Sequence, residues 1–91
     1  MHSDDPIDYP IDGTLDLHQF QPTEVAAVVE AYIEECLARG IMAVRIVHGK
    51  GIGVQREIVR SILSKHPHVA SFRHEEGSGG DWGATVVDLQ R

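Results

Sequence analysis

The sequence predicts a two-layer α/β sandwich: four short strands form one mixed sheet, and two helices cover one face of it. Three observations carry that expectation. Apolar spacing alternates between a period of two and a period near 3.6, in the order β-α-β-α-β-β. Gly40 and Pro67 punctuate the ends of the two helical stretches. At 91 residues the chain has room for one core and no more.

Thr14-Leu15-Asp16-Leu17-His18 alternates polar and apolar residues, as a strand with one buried face does. Leu15 and Leu17 point inward, while Thr14, Asp16 and His18 share the other face. Gln21-Pro22-Thr23-Glu24 reads as a helix start, with the proline near the first helical position and an acid in the first turn. Val25, Val28, Val29, Tyr32, Ile33, Cys36 and Leu37 then recur at helical spacing until Gly40 caps the helix. Residues 41–47 form a second strand, which runs straight into His48-Gly49-Lys50-Gly51-Ile52-Gly53. A second helix carries Val54, Ile58, Val59, Ile62 and Leu63 inward and ends before Pro67. Residues 69–74 form a third strand, 75–81 a glycine-rich loop, and 83–89 a fourth strand. Each β-α-β crossover is right-handed. If both step the same way, both helices fall on one face, and the last strand, joined by a hairpin-type loop, runs antiparallel to the others. Residues 1–12 read as an N-terminal tail and residues 13–91 as the domain.

Composition narrows the function. Of the residues, 42% are hydrophobic and 24% charged, as in ordinary soluble domains. A single cysteine excludes an intrachain disulfide, and Cys36 falls in the apolar helical pattern as a core residue. No run of some eighteen apolar residues and no signal-type segment occurs, so the expectation is a cytoplasmic protein without membrane contact. The net charge of −6 argues against a protein that coats nucleic acid indiscriminately. The charge is uneven, however. Up to residue 44 the only basic side chain is Arg39, whereas Arg45, Lys50, Arg56, Arg60, Lys65, Arg73 and Arg91 follow against five acids. A local phosphate-facing patch fits the second half of the chain.

Parallel α/β sheets bind ligands beyond the carboxyl ends of their strands. The first strand ends in Asp16-Leu17-His18, the second in His48 and the glycine turn, and the 75–82 loop with Trp82 arrives beside them. Asp16 and His18 stand two apart on a strand, about 6.5–7 Å between Cα atoms. A carboxylate there can orient the imidazole for general-base work; the plainer reading is an exposed polar face or a structural aspartate. Gly49, Gly51 and Gly53 allow close backbone approach, the following helix offers unpaired N–H groups, and Lys50 adds a positive charge, which together suit a phosphate. A tight turn with no ligand fits the same spacing. The turn is neither a Walker A loop nor a GxGxxG dinucleotide motif. Without HExxH or paired-cysteine spacing, a structural zinc is not expected. His66 and His68 should lie at the opposite edge of the sheet, while His74 ends the third strand near the candidate site. Arg45, Arg56, His74 and Trp82 are candidate nucleic-acid contacts. Phe72 reads as core, and Arg56 with Arg60 reads either as an extension of the basic patch or as a solvated helix face.

Three motifs, in order, resemble one family. Leu15-Asp16-Leu17-His18 resembles the LDxH motif of Smr (small MutS-related) domains, His48-Gly49-Lys50-Gly51 resembles their HGxG motif, and Gly83-Ala84-Thr85-Val86-Val87 resembles their closing GATVV strand. The resemblance spans roughly residues 13–90. It implies a fold similar to the C-terminal domain of translation initiation factor three: strand order 1-2-4-3, strand 4 antiparallel, two helices behind. It also implies nicking of DNA or endonucleolytic cleavage of RNA, with functional positions at Asp16, His18, His48, Gly49 and Gly51. Gln19 stands where many members have glycine, which narrows the backbone options beside His18. Under this reading phosphate docks on Gly49, Lys50, Gly51 and Gly53, and His18 or His48 acts as base or acid. Asp16 then orients His18 or holds Mg²⁺ or Mn²⁺. Expected partners are RNA or DNA, with the ribosome or repair proteins behind them, and the chain itself is a plausible monomer. A binding module for nucleic acid or ribonucleoprotein at the same edge is the alternative, and a protein-interaction domain on the open sheet face a third.

Overall fold

The computed structural model describes residues 11–18, 20–48, 54–75 and 83–91. Its elements are β1 (Thr14–Asp16), α1 (Pro22–Ala38), β2 (Ala43–Val47), α2 (Val54–Lys65), β3 (Val69–Glu75) and β4 (Ala84–Leu89). The sheet has the order β1-β2-β4-β3, with β1 parallel to β2 and β4 antiparallel to both of its neighbours. This is the two-layer α/β arrangement the sequence predicts.

The core shows why. Leu15 and Leu17, Val44 and Ile46, and Val87 and Leu89 turn to one face of the sheet. There they meet Val25, Val28, Val29, Tyr32, Ile33 and Cys36 of α1, and Val59 and Leu63 of α2. Each such aliphatic side chain contributes roughly 1.5–3 kcal/mol when fully buried, so this layer dominates the stability of a small domain. Tyr32 is wholly buried, yet its hydroxyl is satisfied: it donates to the Thr14 carbonyl and accepts the Gly13 N–H, both at 3.0 Å. Burial pushes its pKa up, so the hydroxyl keeps the proton it donates. In this way α1 pins the chain where β1 begins. Ile11, placed in the tail by its sequence, packs against the core, and Asp12 Oδ1 accepts the Thr14 N–H.

The ends of α1 follow their sequence signals. Glu24 reaches back to accept the Gln21 N–H at 2.8 Å, half of a capping box. At the other end Gly40 takes φ +76°, with its N–H on Leu37 O and the Ile41 N–H on Cys36 O. That pair of bonds is a Schellman motif, and the left-handed residue in it is glycine because a Cβ is strained there. The motif occupies residues 40 and 41, so β2 starts at Ala43 rather than at 41.

Three further differences have local causes. β1 ends at Asp16 and not at His18, because Asp16 Oδ1 captures the His18 N–H at 2.9 Å and turns the chain. Val54, expected inward, is 46% exposed, since it is the first residue of α2 and precedes the turn that packs. β3 runs to Glu75, which pairs with Ala84, and carries a bulge between Val69 and Ser71. Among the described residues no helix is long and apolar enough to cross a membrane.

Candidate active site at the carboxyl edge of the sheet

β1 and β2 run parallel in the register Thr14↔Arg45, Leu15↔Ile46, Asp16↔Val47. The Leu17 N–H extends the ladder by one bond to Val47 O at 2.9 Å. Residues 16–18 and 48 therefore sit at the same rim, the end from which both strands leave the sheet. Side-chain alternation then divides them. Asp16, Arg45 and Val47 belong to the open face, whereas Ile46 and His48 belong to the face covered by the helices.

On the open face Asp16 Oδ1 lies 2.6 Å from His18 Nδ1 while also holding the His18 backbone N–H. One oxygen thus fixes both the turn and the ring. An ionised carboxylate only accepts, so Nδ1 is the protonated nitrogen, and the basic lone pair of the neutral ring lies on Nε2. The two side chains are 58% and 49% exposed. A solvated pair of this kind adds about 0–1 kcal/mol to stability, so it acts chiefly to orient the ring. Asp16, His18, Arg45 and Val47 line a concavity of about 310 Å³. Across β4, Arg45 Nε donates to Glu75 Oε1 at 2.8 Å, which brings an acid into the neighbourhood of the candidate basic contact.

On the helix-covered face His48 is 8% exposed. Its backbone N–H donates to Gly83 O, and its Nε2 lies 2.9 Å from Thr85 Oγ1. His74 Nδ1 approaches the same hydroxyl at 3.0 Å, and the two rings meet edge-to-face with centroids 6.1 Å apart. The structure thus brings Asp16, His18 and Arg45 together, and separately His48 and His74, at one rim but on opposite faces. Arg56 is exposed in the first turn of α2, close to that rim, and Arg60 approaches Glu57 at 4.0 Å. Gln19, the glycine turn with Gly49, Lys50, Gly51 and Gly53, and Trp82 lie outside the described residues. His66 and His68 line a separate concavity of about 530 Å³ between the helices, together with Glu30, Glu34 and Lys65.

Sequence reading missed three participants. Thr85 is a fully buried hydroxyl at an inward position of β4, and a buried polar group needs partners; that alone could have flagged it. Gln55 ties the start of α2 to the β1–α1 connection by donating to Phe20 O at 3.1 Å. Glu75 faces Arg45 only because of the strand register. Among the described residues a divalent ion has little to hold it. No three His, Cys, Asp or Glu side chains among the described residues gather as a metal site, and Asp16 Oδ1 is already engaged by His18. No step is therefore routed through a metal.

Comparison with known proteins agrees with this architecture. The Smr domain family model matches residues 15–90. Among curated proteins, the chain is 38% identical over 80 residues to endonuclease MutS2 of Caldicellulosiruptor bescii, covering 88% of this chain and 10% of that protein. It is 39% identical over 83 residues to endonuclease MutS2 of Halalkalibacterium halodurans, covering 91% and 11%. The chain thus spans about a tenth of the length of the curated relatives it matches. Among solved structures, the Smr domain of Thermus thermophilus MutS2 superposes with a TM-score of 0.75 at 32% identity, covering 88% of this chain and all of that one. YdaL, a stand-alone small MutS-related protein from Escherichia coli, gives 0.76 at 27% identity, covering 91% and 68%. With a family model matched over residues 15–90 and the fold shared with solved Smr domains, the chain belongs to the Smr domain family.

Proposed function

We propose that this chain is an endonuclease acting on RNA or DNA at the carboxyl edge of the sheet. The observation that carries the reading is the Asp16–His18 pair: a ring held at 2.6 Å on its Nδ1 side, half-exposed, beside an arginine and a concavity. His18 Nε2 takes the proton of the nucleophile, and Asp16 keeps the ring in that tautomer and supports the imidazolium that results. Arg45 contacts a non-bridging phosphate oxygen, with Lys50 and the 49–53 glycine turn as the phosphate cradle. In RNA the nucleophile is the neighbouring 2′-hydroxyl. Its oxygen bonds to phosphorus, the bond to the 5′-oxygen breaks, and that oxygen receives a proton, with His48 as the donor. In DNA the nucleophile is water. The burial of His48 favours a second reading, a binding module in which that histidine is structural.

Cleavage assays separate these readings. Single-stranded RNA, its 2′-deoxy counterpart and supercoiled plasmid are incubated with and without EDTA, alongside His18→Ala and His48→Ala preparations. The nuclease reading expects cleavage of at least one substrate that both variants abolish. Binding without histidine-dependent cleavage of any substrate refutes it in favour of the module.

A further inference from the structure

Three strands contribute to one buried hydrogen-bonded chain. Ile46, Thr85 and His74 are partners in the β2-β4-β3 register, and His48 follows two residues beyond Ile46 on the same face. Thr85 is fully buried between the rings, with His48 Nε2 at 2.9 Å and His74 Nδ1 at 3.0 Å. His74, on the outer strand, is half-buried, while His48 is nearly enclosed.

We propose that His74 and Thr85 form a proton relay to His48: a proton taken up at His74 reaches the enclosed His48 ring through the Thr85 hydroxyl. A hydroxyl has one proton to donate and lone pairs to accept with. Between two neutral rings it donates to one facing nitrogen and accepts from the other. His48 Nε2 and His74 Nδ1 therefore hold opposite protonation states. When His74 is a cation, its Nδ1 proton passes to Thr85 Oγ as the hydroxyl's own proton passes to His48 Nε2. One N–H and one O–H bond break, and one of each forms. The positive charge moves from His74 to His48, and Thr85 ends as a hydroxyl again. No other reactant is required. Thr85 and His74 are positioning residues here, since neither touches substrate. The purpose of the relay, reloading His48 as an acid, rests on the nuclease reading; its existence does not.

Long-range ¹H–¹⁵N correlation on the full chain tests the pairing, at a pH well above the ordinary imidazole pKa of about 6.5. Each ring nitrogen is read as protonated or bare. Opposite states at His48 Nε2 and His74 Nδ1 are expected in the wild type and in Thr85→Ser. In Thr85→Val at least one ring is expected to change tautomer, because the hydroxyl that ties the two nitrogens together is gone. Like states in the wild type, or unaltered tautomers in Thr85→Val, overturn the proposal. Should Thr85→Val not fold, the wild type and Thr85→Ser decide the matter.

The transfer itself is tested with His74→Asn, whose amide keeps a donor near the Nδ1 position but carries no mobile proton. Without a relay, exchange of the His48 ring proton with water waits on local opening. Exchange is expected to slow on the order of tenfold or more; an unchanged rate overturns the relay. A chain that cleaves nothing but shows coupled rings refutes the nuclease reading alone. A chain that cleaves with uncoupled rings refutes the relay alone.

Discussion

Two histidine sites share one rim of this sheet and are built in opposite ways. On the open face, Asp16 and His18 are neighbours in sequence, half-exposed, and held by one carboxylate oxygen. On the covered face, His48 directly follows β2, Thr85 and His74 come from β4 and β3, and the three meet around a wholly buried hydroxyl. The first arrangement needs only a strand end and is solvated whether or not the chain folds. The second exists only once the full sheet order is in place. Substitutions on the open face should therefore read out in activity and leave folding alone, whereas substitutions in the buried chain should cost stability as well.

The sharpest way to break this contrast is His18→Ala. Loss of a general base should lower cleavage about 10²–10⁴-fold, whereas removal of a half-exposed side chain should change stability by no more than about 0.5 kcal/mol. Single-turnover cleavage and thermal melting of one preparation measure both. A large melting shift would place His18 among the structural residues. Thr85→Val should differ by lowering stability as well. It keeps the volume but leaves two imidazole nitrogens without their shared partner, at a cost of about 1–3 kcal/mol. Urea titration should show this loss largely recovered in Thr85→Ser.

The same contrast explains what was legible in the sequence. Asp16 and His18 are local, so alternation along one strand was enough to put them on one face. The helix caps were equally local: Pro22, Glu24 and Gly40 each carry their signal within a turn of where they act. The inward position of His48 was also within reach, since Val44 and Ile46 fix the phase of β2. The meeting of His48 with Thr85 and His74 was not. It spans 37 and 11 residues of chain and depends on a register set by the whole sheet. The Arg45–Glu75 pair crosses 30 residues for the same reason, so charge counts along the sequence could not show that Arg45 faces an acid.

Cys36 tests the covered layer by pH. Burial pushes its thiol up from 9.0 to about 11. Below pH 9 both folded and unfolded chains hold the proton. Above it the unfolded chain releases a proton that the folded chain keeps, so the contribution to stability is lost as pH rises through the window from 9 to about 11. The loss is at most about 1.4 kcal/mol per pH unit. Denaturation of wild type and Cys36→Ala across that window should converge as pH rises. A constant difference would mean the thiol is not sensed by folding. At neutral pH the buried thiol should also react with iodoacetamide far more slowly than in the unfolded chain.

The smallest expected effect is the one that tests which face meets nucleic acid. Glu75 and Arg45 are each a little under half-exposed, and such a pair is worth about 0–1 kcal/mol to the fold. Glu75→Gln keeps an acceptor for Arg45 but removes the charge that offsets it. If the open face carries the phosphate, affinity for single-stranded RNA at low salt should rise about 2–5-fold, and its dependence on log salt should steepen by less than about one unit. Melting should move by less than about 0.5 kcal/mol. Glu57→Gln is the matched control, because Glu57 neighbours Arg60 on the outer surface of α2, away from the open face. Equal gains from both variants would mean only that net charge governs binding. A gain from Glu57→Gln alone would move the nucleic acid to the helices and leave the Asp16–His18 pair without a substrate beside it.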